Sequence, residues 1–175
     1  MLYLKKVNLD DIEEEYKVIQ RMPADENGFQ NEFYGISKEE FKNTVIPKLI
    51  KNSEGIDLPN GYVPQTYYFL WDDNVIVGLF KLRHCLNEFL KNGPGHLGYG
   101  ILPEYRGKGY ATAGLKLAIE EASKIIPEEE IYFSVHKDNK ASLKVQQNCG
   151  AYIVGETKDG KEHLTRIKIS KRQEH

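Results

Sequence analysis

A glycine loop between residues 106 and 112 is the stretch of the sequence best suited to chemistry. Two glycines and two cations stand directly before a predicted helix: Arg106, Gly107, Lys108 and Gly109. The first turn of a helix leaves backbone N–H groups without partners and carries positive dipole charge. Because glycine has no Cβ, the chain can close around an anion. The loop therefore predicts a phosphate or pyrophosphate site. The alternative is a tight strand-to-helix turn with two solvated cations.

Two better-known phosphate motifs do not fit the sequence. A Walker A loop needs Ser or Thr after its lysine, whereas Lys108 is followed by Gly109. Residues 93–98, GPGHLG, have the letters of the dinucleotide fingerprint G-x-G-x-x-G. They precede a predicted strand instead of opening a helix, so we interpret the match as chance.

Polar residues also gather at the end of a predicted strand, in KLRHCLNEFL. Arg83, His84 and Asn87 there could bind an acidic or polar acceptor, or could be an ordinary surface strand end. The loop ADENGFQNEF offers acidic side chains that could attract an amine: Asp25, Glu26 and Glu32. The alternative for these three residues is a solvated loop.

The elements that must position these residues follow from hydrophobic periodicity and turn signals. A capping box at Ser37 and Glu40 predicts the start of a helix that Pro47 bends or ends. Asp-Gly at 159–160 predicts a final hairpin. The predicted order is a strand, two helices, three strands, a helix, a strand, a helix and two strands. That order predicts an α/β (α+β) fold with a mixed, mostly antiparallel central sheet of about seven strands flanked by helices.

Composition narrows the class of protein. The chain has 175 residues, which suits one domain over residues 1–175. A net charge of −2 gives no basic field for nucleic acid, and no apolar run is long enough to span a bilayer. The N-terminal residues show no signal-peptide pattern, and Cys85 and Cys149 form no ligand pair. We therefore expect a cytoplasmic protein without a metal, a nucleic-acid partner or a membrane.

The glycine loop also carries a family resemblance. LGYGILPEYRGKGYATAGLKLAIEEA resembles the cofactor motif of the GNAT N-acetyltransferase superfamily. The core of that motif is Arg or Gln, two residues, Gly, one residue, and Gly or Ala. These places are taken by Arg106, Gly109 and Ala111, after a strand that ends at Pro103.

A second segment strengthens this resemblance. DNKASLKVQQNCGA is similar to the second motif of the superfamily, with Asn139, Ser142 and Gly150 at the expected spacing. Together the two motifs cover about residues 95–155. The six-residue core of the first motif alone is weak, but both motifs in order on a strand–helix–strand–helix pattern are a strong signal.

The resemblance implies that acetyl-CoA is bound as co-substrate. Its pyrophosphate would sit on backbone N–H groups of the glycine loop, and its pantetheine arm would pair with a strand edge that splays from the strand at 131–136. Asn139 would bond near the thioester arm, besides capping its helix. The implied cofactor-binding residues are Tyr99, Gly100, Ile101, Arg106, Gly107, Lys108, Gly109, Tyr110, Ala111, Thr112 and Asn139.

The catalytic residues depart from the family pattern. Attack by an amine needs a proton acceptor, and the leaving thiolate benefits from a proton. Many relatives use a Glu on the fourth strand, but residues 95–98 contain no carboxylate and His96 is nearest. Many also place a Tyr seven residues after the Asn, where this chain has Gln146. We therefore predict His96 and His136 as candidate catalytic residues; the alternative for His96 is a strand histidine bonded to a neighbour.

The predicted function is N-acetyl transfer from acetyl-CoA to a primary amine of a small molecule, by direct attack in a ternary complex. Protein N-terminal or lysine acetylation, a non-catalytic acyl-CoA-binding module and a nucleotide-binding protein are the alternatives. The resemblance also leaves a homodimer open. The candidate substrate-binding residues are Glu26, Arg83 and His84.

Overall fold

The computed structural model describes residues 1–26 and 29–169. The strands in these ranges are β1 (Leu2–Lys6), β2 (Asp25–Glu26), β3 (Phe29–Gln30), β4 (Gln65–Asp72), β5 (Val75–Arg83), β6 (Leu97–Ile101), β7 (Glu130–His136), β8 (Tyr152–Glu156) and β9 (Glu162–Lys168). The helices are α1 (Ile12–Arg21), α2 (Lys38–Glu40), α3 (Ile46–Ser53), α4 (Glu88–Lys91), α5 (Tyr110–Ile125) and α6 (Lys140–Asn148). None of these helices is both long and apolar enough to span a lipid bilayer.

Seven of the strands form the predicted central sheet, in two antiparallel halves. One half has the order β1-β4-β5-β6 and the other the order β7-β9-β8, while β2 and β3 form a separate ribbon. The halves meet where Gly95 bridges to Phe133 and where the His96 N–H donates to the Tyr132 carbonyl at 2.7 Å. The prediction of a mostly antiparallel sheet of about seven strands is confirmed, and the sheet opens between β6 and β7.

Alternating side chains in β4 build a core on each face of the sheet. One face carries Tyr67, Phe69 and Trp71, which pack with residues of α1 and α3. The opposite face carries Tyr68 and Leu70, which pack with residues of α5. A period of two therefore covers the strand with helices on both sides. On the second face, the N-terminus of α5 is fixed beside the end of β6.

Local signals account for several element boundaries. The Ser37 hydroxyl accepts from the Glu40 N–H at 3.1 Å, as the capping box predicts. The helix is not ended at Pro47: a π-helical segment at Phe41–Val45 precedes it, and α3 continues to Ser53. Because proline has no N–H, one helical bond is lost there, and the wider turn accommodates that loss. The ribbon of β2 and β3 lies in a segment predicted as loop.

Candidate active site

The glycine loop leaves a run of backbone N–H groups open before α5. From Gly107 to Thr112, these six groups have no hydrogen-bond acceptor among the described residues. Gly107 and Gly109 have φ of 75° and 83°, and a Cβ built on either meets no atom within 4 Å. The loop therefore has both the left-handed backbone that favours glycine and open space in front of it. Donors of this kind fit a pyrophosphate.

The side chains of the loop pack around this cradle of amides. Arg106 Nε donates to the Ile101 carbonyl at 3.0 Å, and Tyr110 donates through its hydroxyl to Asp72 at 2.6 Å. Lys108 Nζ lies 5.8 Å from the centre of the Tyr105 ring. We infer that the main chain provides the anion contacts and that these side chains hold the loop in shape.

One edge of strand β6 faces the gap in the sheet between β6 and β7. Two hydrogen bonds at the ends of the β5–β6 pair fix which backbone groups face β5: the His96 carbonyl accepts from the Arg83 N–H, and the Leu102 N–H donates to the Val77 carbonyl. By alternation, the groups of Gly100 bond to β5, whereas those of Tyr99 and Ile101 face the gap. Tyr99 and Ile101 thus keep the predicted position for a pantetheine arm. Gly100 lines the cavity without a free backbone group, which argues against its predicted role as a hydrogen-bond partner.

Helix α6 forms the other wall of the gap. Asn139 caps it, with its side-chain oxygen accepting from the Ser142 N–H at 3.1 Å, so its amide nitrogen stays available. The Tyr99 hydroxyl lies 2.9 Å from Ser142 Oγ. Burial raises the pKa of Tyr99 above its ordinary value, so the phenol stays protonated at neutral pH. Gln146 is buried and accepts from the Thr165 hydroxyl at 2.6 Å, which ties α6 to β9.

His136 stands at the end of β7, beside the same gap. Its Nε2 lies 3.7 Å from Oε1 of Glu162, which also accepts from the Ser134 hydroxyl at 3.3 Å. All three residues line the cavity. A carboxylate next to an imidazole orients the ring. His136 is therefore placed to accept a proton inside the cavity.

His96 is placed differently. It is fully buried and is not among the residues that line the cavity. Its Nδ1 accepts from the Tyr132 N–H at 2.9 Å, so the ring proton lies on Nε2, 3.3 Å from the Glu128 carboxylate. Burial lowers the pKa of His96, against the opposing effect of Glu128. This placement argues against the predicted role as base, because the ring is closed off from the cavity and its Nδ1 is bonded to β7 across the junction of the two half-sheets.

Replacing His96 should therefore change stability and leave the chemistry in place. His96→Ala leaves the Tyr132 N–H without its side-chain acceptor and removes a fully buried ring, and we expect the free energy of unfolding to fall by about 2–4 kcal/mol. The wild type should also lose stability as pH falls below the ordinary histidine pKa of about 6.5, since the unfolded chain then binds a proton that buried His96 does not. Denaturant titrations at pH 7.5 and 5.5 would measure both effects, and His96→Ala should lose this part of the pH dependence. If His96→Ala kept the stability of the wild type but lost the decline of turnover at low pH, this assignment would be contradicted.

One cavity of about 1120 Å³ connects the cradle and the gap to a chamber on the far face of the sheet. Lys81 and Arg83 of β5 line this chamber from the sheet, and Phe29 lines it from β3. Phe29 lies close over the sheet, since a Cβ on Gly100 would be 3.2 Å from its ring. The chamber is thus a candidate acceptor site that opens onto the gap.

The structure does not bring all the predicted acceptor-binding residues to the chamber. Arg83 lines the chamber. His84 is not among the lining residues: its Nε2 lies 2.7 Å from the Thr66 hydroxyl, which argues against a substrate contact. Glu26 belongs to β2, but its side chain lies outside the described part of the structure. Lys81 and Glu162 are cavity residues that the sequence analysis missed.

These observations define an α/β protein with an anion cradle at a helix N-terminus and an opened sheet edge beside it. A family model described as an acetyltransferase (GNAT) domain matches residues 2–152. The chain belongs to the GNAT acetyltransferase family, as the sequence resemblance implies.

Individual relatives are more distant. Over 56 residues the chain is 34% identical to spermidine N(1)-acetyltransferase of Escherichia coli K12, a match that covers 32% of this chain and 30% of that enzyme. The chain therefore matches under a third of the length of this curated relative. Spermidine N-acetyltransferase from Vibrio cholerae, in complex with CoA and spermine, has a TM-score of 0.61 and 18% identity, covering 97% and 96% of the two chains. Ribosomal-protein-S5-alanine acetyltransferase from Vibrio fischeri has a TM-score of 0.64 and 16% identity, covering 98% and 96%.

Proposed function

We propose that this protein transfers the acetyl group of acetyl-CoA to a primary amine of a small molecule, by direct attack in a ternary complex. The observation that carries the proposal is the single cavity. It joins the amide cradle before α5, the gap between β6 and β7, and a chamber on the opposite face of the sheet. Such a cavity lets two substrates approach from opposite ends and meet at the gap, which is where proximity accelerates transfer.

The residues around the cofactor have separate tasks in this proposal. The thioester supplies an activated acetyl group. The amides from Gly107 to Thr112 bind the pyrophosphate, and Tyr99 and Ile101 offer strand-edge groups to the pantetheine arm. Asn139 offers its side-chain amide from the opposite wall. His136, next to Glu162, accepts the proton that the amine must lose.

In this proposal the Tyr99 hydroxyl also donates a proton to the departing thiolate. Its hydroxyl lies on the wall of the gap with Ser142 as neighbour, and its raised pKa keeps it protonated. We expect Tyr99→Phe to lower kcat by about 10-fold or more, with little change in the affinity for CoA. The Phe ring keeps the stacking with Phe80, at 5.3 Å between ring centres. Ser142→Ala, which leaves the phenol in place, is the matched control. An unchanged kcat in Tyr99→Phe would assign the proton to solvent.

The depth of the chamber favours a small-molecule acceptor over a protein acceptor. Its floor is formed by sheet residues, and Lys81 on that floor is only 8% exposed. A small amine can enter such a depth, whereas a folded protein could offer only an extended terminus. One structural neighbour is a ribosomal-protein-S5-alanine acetyltransferase, so the same fold also occurs in an enzyme whose acceptor is a protein.

A screen that reads thiol release from acetyl-CoA over a panel of amines tests the proposal. We expect release with at least one small primary amine, together with an N-acetyl product of the matching mass. Acetylation confined to protein termini or lysines in a lysate would contradict the small-molecule acceptor. Tight CoA binding without release for any small amine or protein would instead indicate a binding module.

A further inference from the structure

Lys81 is an unusual residue for the floor of a chamber. It is 8% exposed, and its Nζ donates to the Gln30 carbonyl at 2.5 Å. The rings of Phe29 and Tyr67 lie 4.9 and 5.2 Å from this nitrogen. Burial lowers the pKa of Lys81 to about 8. No carboxylate among the described side chains forms an ion pair with it. The amine keeps donors that the protein does not use.

Arg83 repeats this pattern two residues further along β5. Side chains two apart on a strand share a face, so Arg83 and Lys81 both point to the chamber. One guanidinium nitrogen, Nη1, donates to the Gly95 carbonyl at 3.1 Å. Among the described side chains, Arg83 has no carboxylate partner either. Most of the donors of its guanidinium are left for another group.

The acidic residues of the chamber do not neutralise this pair. Asp25 and Glu32 line the same cavity but are exposed to solvent. Glu32 acts on Lys81 and Arg83 only through space, without a contact. Charge is therefore arranged by depth, with carboxylates at the rim and two cations on the floor. A desolvated cation without an anionic partner is unfavourable, and a bound anion would lower that cost.

We propose that Lys81 and Arg83 form a carboxylate-binding site for the acceptor, so that the acceptor is an amine that also carries a carboxylate. This inference rests on the proposed transferase function and names its substrate class. In the sheet, Lys81 is directly opposite Gly98 of β6, and a Cβ built on Gly98 meets no atom within 4 Å. A carboxylate held on the pair thus leaves its amine close to the edge of β6 and the gap.

The same arrangement disfavours polyamines. Spermidine carries several positive charges, which would face the buried cation of Lys81 and the half-buried cation of Arg83 when its chain fills the chamber. The short match to a spermidine acetyltransferase therefore does not predict the acceptor of this chain. An acidic rim can still attract the ammonium group of an amino acid, while the floor takes its carboxylate.

Matched acceptors test the carboxylate site. We would measure thiol release for amino carboxylates of increasing chain length, each beside its own amide, with an aminoalkyl phosphate and spermidine as further arms. We expect the preferred carboxylate to exceed its amide in kcat/KM by at least 10-fold, and the phosphate and spermidine to be poorer. A wild-type preference for amides or spermidine would overturn the inference while leaving the transferase function in place.

Variants and direct binding separate the two proposals. Lys81→Gln and Arg83→Gln should raise KM for the carboxylate at least 10-fold, change the amide little, and keep wild-type affinity for CoA. Lys168→Gln is the matched control, because Lys168 is an exposed strand lysine near the Tyr152 ring, 5.9 Å from its centre. Calorimetry with amino carboxylates and the CoA-loaded protein gives a readout without turnover. Binding that Lys81→Gln abolishes would support the site even if no amine released thiol; equal binding to both proteins would overturn it.

Discussion

Gly109→Trp should abolish CoA binding while leaving the protein folded. Gly109 is the N-cap of α5, and the space where its side chain would project is open. An indole placed there fills the cradle in front of the amides from Gly107 to Thr112. Hydrogen bonds to charged groups contribute about 1.5–3 kcal/mol each. Loss of two of them predicts an affinity for CoA that is lower by about 10²–10⁴-fold. Isothermal titration with CoA would measure this change.

The control for this variant is a substitution at a glycine that has the same left-handed backbone but lies outside the proposed cofactor site. Gly160 has φ of 72° in the turn between β8 and β9, and Glu156 Oε1 at 3.9 Å is the nearest atom to a built Cβ. Gly160→Trp should carry a similar left-handed strain of about 1–2 kcal/mol and bind CoA normally. Wild-type affinity in Gly109→Trp would remove the cradle from the proposed site. Equal losses of CoA affinity in both variants would show that backbone strain, and not filling of the cradle by the indole, causes the loss.

Local chemistry made the cradle and most of the fold predictable. Glycines, a helix start and the end of a strand are near one another in the chain, so the loop before α5 could be predicted from residues 103 to 112. The same holds for the Ser37 cap and for Asn139, whose bonds run to residues three positions away. The order of elements along the chain also followed, because aromatic residues in segments such as β4 favour strands and turn residues separate them.

Residues whose roles depend on distant partners could not be assigned from the sequence. His96 looked like a base because it occupies a strand near the cofactor motif, but its partners, Tyr132 and Glu128, lie more than 30 residues away. Lys81 was missed although strand alternation places it on the face of Arg83. What makes it unusual is burial by Phe29 and Gln30, from a ribbon predicted as loop. The role of Glu162 likewise depends on the pairing of β9 with β7.

His136→Gln should remove most of the turnover. His136 lines the cavity beside Glu162, and glutamine keeps a polar group of similar reach that cannot take up a proton. General base catalysis contributes about 10²–10⁴-fold, so kcat/KM at neutral pH should fall by that order. Steady-state kinetics would measure this loss, and titration with CoA should show an unchanged affinity for the cofactor.

His84→Gln is the matched control, because His84 is a half-buried histidine bonded to Thr66 and outside the cavity lining. Its kcat/KM should match the wild type, and its KM for the acceptor should also be unchanged. Glu162→Gln should lower activity less than His136→Gln, because it removes the neighbour of the base and leaves the imidazole. If His136→Gln kept the kcat/KM of the wild type, the proton would have to leave through another group or through water. The base assignment would then fail, because among the described residues His136 is the histidine that lines the cavity.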